Sequence, residues 1–210
     1  MLTNTASDRV RRVRRLTRRS ARAESGRLLV EGPQACREAA LAGLVTDLYF
    51  TADAASAHPE IVSATLAAAG RLHQASSDYV SAISSDAQGI AAVAGNPWAD
   101  WTIAEGLGRA VGRPALVAVF EQVRDPGNAG AVIRAADAAG SDLVVFADQS
   151  TDPAAPKAVR ASAGSYFHLP VVVIGAISQA IGLARAAGLT VLAADGHGRE
   201  PLGRAALGQS

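Results

Sequence analysis

The chain has 210 residues, enough for one large or two small domains with a well-buried core. Hydrophobic residues make up 49% but aromatics only 4%, so the core must be built from Ala, Val, Leu and Ile, which suits helix-on-sheet packing. A single cysteine, Cys36, excludes an internal disulfide and fits a reducing cytoplasm, and no apolar run approaches the roughly 20 residues of a membrane span.

The net charge of +1 conceals an asymmetry. Residues 1–27 form a basic N-terminal arm, with Arg11, Arg12, Arg14, Arg15, Arg18 and Arg19 among its arginines and only Asp8 and Glu24 opposing them. Val10, Val13 and Leu16 recur every three residues, which predicts a helix with one apolar stripe and a wide basic face. Such a face neutralises phosphates and attracts nucleic acid. A mitochondrial transit peptide and a merely solvated charged surface are the competing readings.

Residues 28–95 read as an alternating α/β unit. Strands are expected at 28–30, 47–50, 72–74 and 90–94, and helices at 34–42, 60–69 and 79–84. Residues 96–113 are rich in glycine, hold Trp98 and Trp101, and lack clean periodicity, which marks a linker with room for a short structured piece. A second domain is expected over 114–210. Its strands at 115–120, 142–147, 170–174 and 189–194 alternate with helices at 129–139 and 176–187, the pattern of parallel βαβ units with right-handed crossovers.

The most informative stretch runs from Asp125 to Gly140, between the first two strands of that domain. Pro126 and Gly127 suggest a turn, and Asn128 is placed as the N-cap of a small-residue helix that carries Arg134 in an apolar run. An amide and a guanidinium are then presented where a parallel strand ends, the usual site of chemistry in α/β sheets. An Arg134–Asp137 pair on an exposed helix face is the bland alternative for the arginine. Further on, Lys157 is the chain's only lysine, and with Arg160 it lies just ahead of the small-residue run Ser162, Gly164 and Ser165.

The pattern D-P-x-N-x-G-A-x-x-R-x-A-D-A-x-G over 125–140 resembles the first motif of the SpoU/TrmH-type RNA 2′-O-ribose methyltransferases, of the SPOUT superfamily. Residues 156–170 resemble the same family's K-x-x-R-x-S-x-G-x-x-F-x-x-P segment, and residues 28–33 the entry to its substrate-binding domain. The narrower likeness is to the thiostrepton-resistance type of 23S rRNA methyltransferase. The resemblance implies an L30e/L7Ae-like N-terminal domain followed by a Rossmann-like catalytic domain of trefoil-knot type. It implies S-adenosylmethionine as methyl donor, RNA (rRNA before tRNA) as substrate, and a homodimer.

By the same resemblance Arg134 and Asn128 are the catalytic candidates. Ala193, Ala194, Asp195 and Gly196, after the strand expected at 189–194, become the donor-site candidates, with a plain glycine-rich turn as the alternative. Lys157, Arg160 and Ser162 join the arm's arginines as RNA contacts, with ordinary surface charge the competing reading for the two cations. The family's G-N-E-x-x-G and S-L-N-V-S motifs do not occur in these 210 residues. The expectation is therefore a family member lacking its C-terminal portion, with an incomplete knot and doubtful dimerisation. The activity is then expected of a longer protein.

Other signals carry less. The run from Gly106 to Gly112 is one residue too long for a dinucleotide loop and precedes a strand instead of following one, which leaves a Rossmann oxidoreductase without support. The four histidines are scattered and Cys36 has no partner, so no metal site is expected. A noncatalytic RNA-binding module is the alternative function.

Overall fold

The computed structural model describes residues 1–108 and 115–194. Helices α1 (Asp8–Arg15) and α2 (Arg19–Ser25) precede β1 (Arg27–Glu31), α3 (Pro33–Leu41) and β2 (Val45–Phe50). Then come α4 (Ala52–Ala57), α5 (Pro59–Ala67), β3 (Arg71–Gln74), α6 (Ser77–Ile83) and β4 (Ile90–Gly95). The remainder is α7 (Ile103–Gly108), β5 (Val117–Glu121), α8 (Pro126–Ala138), β6 (Leu143–Ala147), α9 (Pro156–Ala161), a 3₁₀ turn (Ser165–Phe167), β7 (Val171–Val173) and α10 (Ile177–Ala186).

The first sheet has the order β1-β4-β2-β3, with β4 antiparallel to both neighbours and β2 parallel to β3. The second runs β5-β6-β7 and is wholly parallel, as helices between successive strands require. Its central strand β6 is buried at every position, Leu-Val-Val-Phe-Ala, which is how a strand covered on both faces reads.

The apolar stripe at the N-terminus behaves as its spacing predicts. Ser7 caps α1 through its hydroxyl, and Val10, Val13 and Leu16 are buried in one cluster with Tyr79, Ile83, Ala91 and Val93. Residues 1–27 are thus folded onto the first sheet, and Leu2 adds a parallel bridge to Ala75 beside β3. The arginines between the stripe residues face outward by default of helix geometry.

Elements α4, α9 and the 3₁₀ turn fall in stretches without a clear sequence pattern. Within the expected linker, α7 lies so close to β6 that a Cβ on Gly106 would come within 2.7 Å of a Leu143 methyl. The strand expected over 189–194 is not one: these residues pair with no sheet among the described residues. Their β-branched and apolar composition favours a strand, but a strand exists only where a ladder partner does.

One hydrophobic cluster runs through both sheets' helical layers. It joins Leu28, Val30, Cys36 and Leu48 to Ile133, Phe146, Val159 and Tyr166 without a break. Polar ties cross the same seam. The Trp98 indole donates to the Tyr166 carbonyl at 2.6 Å, and the Tyr166 hydroxyl donates to Asn96 Oδ1 at 2.9 Å. Arg22, 5% exposed, reaches Asp152 at 2.5 Å.

Candidate functional site

Four residues separate the carboxyl end of β5 from helix α8, whose start differs from the expected one. Asp125, not Asn128, is the N-cap: its Oδ1 accepts the Asn128 backbone N–H at 3.0 Å, and Pro126 occupies the first turn. Proline has no N–H to lose at that place and its φ is already helical, so Pro126 and Gly127 open the helix instead of forming a turn before it. The Asn128 and Lys157 contacts hold the Asp125 carboxyl below its ordinary range, the Asn128 N–H contributing most. Lys157 Nζ stands 3.6 Å from Asp125 Oδ2, so the two motif segments meet across this cap.

Freed from capping, the Asn128 side chain is exposed, and so is Arg134. Six residues of helix set them about 9 Å apart along the axis and about 120° apart around it. Arg134 has no ion pair or hydrogen bond among the described residues. Asp137, its alternative i,i+3 partner, accepts instead from His168 Nδ1 at 2.7 Å. His168 also reaches Glu38 Oε2 on α3 at 3.3 Å, bridging the two halves of the chain. The motif helix therefore keeps its arginine open to solvent while its aspartate holds the seam.

The motif glycine has a packing reason. At Gly130 a Cβ would lie 2.5 Å from both the Ala158 carbonyl oxygen and the Ala161 methyl, so only glycine lets α8 and α9 cross this closely. Ala129 and Ile133, fully buried beside it, complete that contact face.

The other expected contacts divide. Arg160 is committed to Glu31 at 2.9 Å and Asp86 at 2.6 Å, joining α9 to the first sheet. Burial raises the Glu31 pKa, against the lowering effect of Ser84 and Arg160. Ser162 cannot touch RNA: it is wholly buried, donating to the Val159 carbonyl at 2.7 Å and accepting from the Tyr166 N–H. The small-residue run serves the seam instead, since a Cβ on Gly164, at φ +98°, would overlap Glu38 Cγ. Arg11, Arg12, Arg14, Arg15, Arg18 and Arg19 are all exposed, and of these only Arg11 and Arg15 have carboxylate partners, Asp8 and Glu24.

Two features had no sequence signal. Gln122, Asp148 and Gln149 adopt left-handed φ values of 51°, 52° and 59° just past the carboxyl ends of β5 and β6. Non-glycine residues rarely sit there, and such backbone clusters at functional sites. Next to it, β5, α7, α10 and residues 189–194 enclose an apolar groove of about 680 Å³. Ala193 and Ala194 line it, as does Glu121; Asp195 and Gly196 lie outside the described residues. Apolar walls with a carboxylate among them suit a flat heteroaromatic ring attached to a sugar diol.

A parallel sheet flanked by helices, with an open arginine beyond one strand end and an apolar groove beside it, defines the class, an α/β protein with its candidate site at the carboxyl ends of the strands. Comparison with known proteins makes this specific. Residues 115–207 match the SpoU rRNA Methylase family, and residues 7–92 match the MRM3-like substrate binding domain. Over residues 115–207 the chain is thus similar to the SpoU rRNA methylases, with the match to a substrate-binding domain lying ahead of it.

Among its relatives, the 23S rRNA (guanosine(2553)-2'-O)-methyltransferase RlmP of Bacillus subtilis is 50% identical over 56 residues, 27% of this chain and 23% of that protein. The 23S rRNA (uridine(2479)-2'-O)-methyltransferase of Streptomyces viridochromogenes is 38% identical over 88 residues, 40% of this chain and 31% of that one. The matched stretches thus span about a quarter to a third of these relatives' lengths. Among solved structures, the SpoU methyltransferase AviRb of the same Streptomyces, in complex with the cofactor AdoMet, superposes with a TM-score of 0.66 at 26% identity, covering 86% of this chain and 68% of that one.

Proposed function

We propose that this protein transfers a methyl group from S-adenosylmethionine to a ribose 2′-hydroxyl of 23S rRNA. The observation that carries this reading is Arg134, left without a partner on the helix that bears the family's first motif. S-adenosylmethionine would supply a methyl group already activated on a sulfonium, and Ala193, Ala194 and Glu121 are the described groove residues that would hold it. A guanidinium almost never gives up its proton, so Arg134 would act by holding the target phosphate and stabilising charge developing on the ribose oxygen. Asn128 would orient the acceptor beside it.

The N-terminal unit, in this reading, is an L30e/L7Ae-like domain with the basic segment 1–27 folded back on it, and the catalytic half is of SPOUT type. Asp195 and Gly196 would extend the donor site. Lys157, already leaning on Asp125, would exchange that partner for an RNA phosphate. The protein would work in the cytoplasm, with dimerisation a property of a chain that carries the G-N-E-x-x-G and S-L-N-V-S segments.

The test is incorporation of labelled methyl groups into total RNA by the purified full-length protein, read as alkali-resistant dinucleotides. Arg134→Ala should lower incorporation by about a hundredfold or more, the usual consequence of removing one transition-state donor, with the thermal melting curve unchanged. Absence of 2′-O-methylation with every RNA tried would overturn the proposal.

A further inference from the structure

Among the arginines of residues 1–27, Arg22 is the buried one. From α2 its Nη1 donates to the carbonyl of Leu16, the C-cap of α1, at 2.7 Å. Its Nη2 donates to Asp152 Oδ2, in the other half of the chain, at 2.5 Å. The remaining donor, Nε, is buried with no hydrogen-bond partner among the described residues. A guanidinium desolvated with one edge unpaired is a poor device for stability alone, because a well-packed apolar side chain there would cost less. Its presence calls for another reason.

The surroundings of Asp152 supply one. It lies midway along residues 148–155, between β6 and α9. On its N-terminal side the Thr151 N–H donates to the Val123 carbonyl at 2.7 Å, and the Val123 N–H donates to Ser150 Oγ at 3.1 Å. Val123 stands two residues ahead of Asp125, the cap of the motif helix. On its C-terminal side Asp152 Oδ1 accepts the Ala154 N–H at 2.9 Å, and its carbonyl accepts the Ala155 N–H at 3.1 Å. Ala155 is the N-cap residue of α9, whose Lys157 meets Asp125. The loop therefore holds the approach to both motif segments.

The same loop begins with Asp148 and Gln149 in left-handed conformations. Backbone of that kind persists only where its surroundings over-determine it, and the ion pair to Arg22 is one such constraint. We propose that Arg22, acting through Asp152, is a positioning residue for methyl transfer. It holds the 148–155 loop so that the Asp125 cap, and with it Arg134, keeps its place against Lys157. This role rests on the methyl-transfer reading above. It gives a residue of the N-terminal segment a task in the catalytic half that requires no contact with RNA.

The test uses the full-length protein and two readouts. Asp152→Asn keeps the oxygen that Ala154 needs but turns an amide toward Arg22, and it should fold normally because the Asp152 side chain is partly exposed. Hydrogen exchange followed by mass spectrometry should be about tenfold faster in peptides spanning Val123 and Thr151, with β4 unchanged. In steady-state methylation of total RNA, kcat should fall about tenfold with KM for RNA unchanged, the mark of a small misplacement. The double variant R22M/D152N should be no slower than R22M, since the two residues act as one unit. A merely structural role would instead spread faster exchange over the whole chain and leave kcat per folded molecule unaltered.

Unchanged exchange at Val123 and Thr151 in D152N overturns the proposal. So does an unchanged kcat in D152N beside an active wild type, or losses in R22M and D152N that multiply in the double variant. Should R22M fail to fold, D152N alone decides. A wild-type protein that methylates no RNA overturns the methyl-transfer reading and this role with it, an outcome distinct from an active wild type with an equally active D152N.

Discussion

Thr65 is wholly buried on α5, and its hydroxyl has no hydrogen-bond partner among the described residues. Burying an unpaired hydroxyl costs roughly 1–3 kcal/mol, whereas an apolar group of the same shape costs nothing comparable. Thr65→Val should therefore raise stability by about 1 kcal/mol, read as a higher denaturant midpoint at unchanged slope. Its methyl already meets the Gly70 turn, where a Cβ would come within 2.6 Å, so the shape at this point must be kept. Single residues also show where reading a sequence stops short. Asp125 and Asn128 are both good caps, and only the rule that proline prefers the first turn separates them. Ser162 sits in a recognisable motif, yet spacing alone cannot tell a ligand loop from a buried turn against another part of the chain.

Between elements the most exacting contact is the crossing of α8 and α9. Gly130→Ala would drive a methyl into the Ala158 carbonyl and the Ala161 side chain, and helices cannot separate without opening the core around Ile133. We expect a loss of about 1–3 kcal/mol on thermal or chemical unfolding; on the function proposed above, methyl transfer would fall further because Arg134 rides on α8. Elements with strong local patterns were legible in advance: the Val10–Val13–Leu16 stripe, the strands of both sheets, and helices α8 and α10. Those fixed by remote partners were not. Helix α9 is a single turn and a half whose place comes from α8, and residues 189–194 have strand-like side chains but no paired neighbour.

At the scale of the molecule, the two halves are joined by ionic ties of which one responds to pH. Burial disfavours the charged form of His168, but its bonds to Asp137 and Glu38 outweigh this and raise its pKa above 6.5. A raised pKa means stability that is fully present below the unfolded value of 6.5 and is lost as pH rises through the folded value. The wild-type protein should accordingly lose some resistance to urea as pH passes from about 6 to about 8. His168→Gln should lack that component, and identical pH profiles for the two proteins would exclude it. The side chain is 44% exposed, so solvent screening keeps the contribution small. The seam itself was invisible in the sequence, because its members come from segments between 68 and 130 residues apart.

The uninterrupted apolar cluster from Leu28 to Val171 has a consequence for how the chain comes apart. Its two regions match two different family models, over residues 7–92 and 115–207, and a cut between residues 92 and 115 looks natural on that ground. Such a cut would leave each fragment with a raw greasy face where the other had been. The frontier between the two regions lies in their likenesses; energetically the territory is undivided.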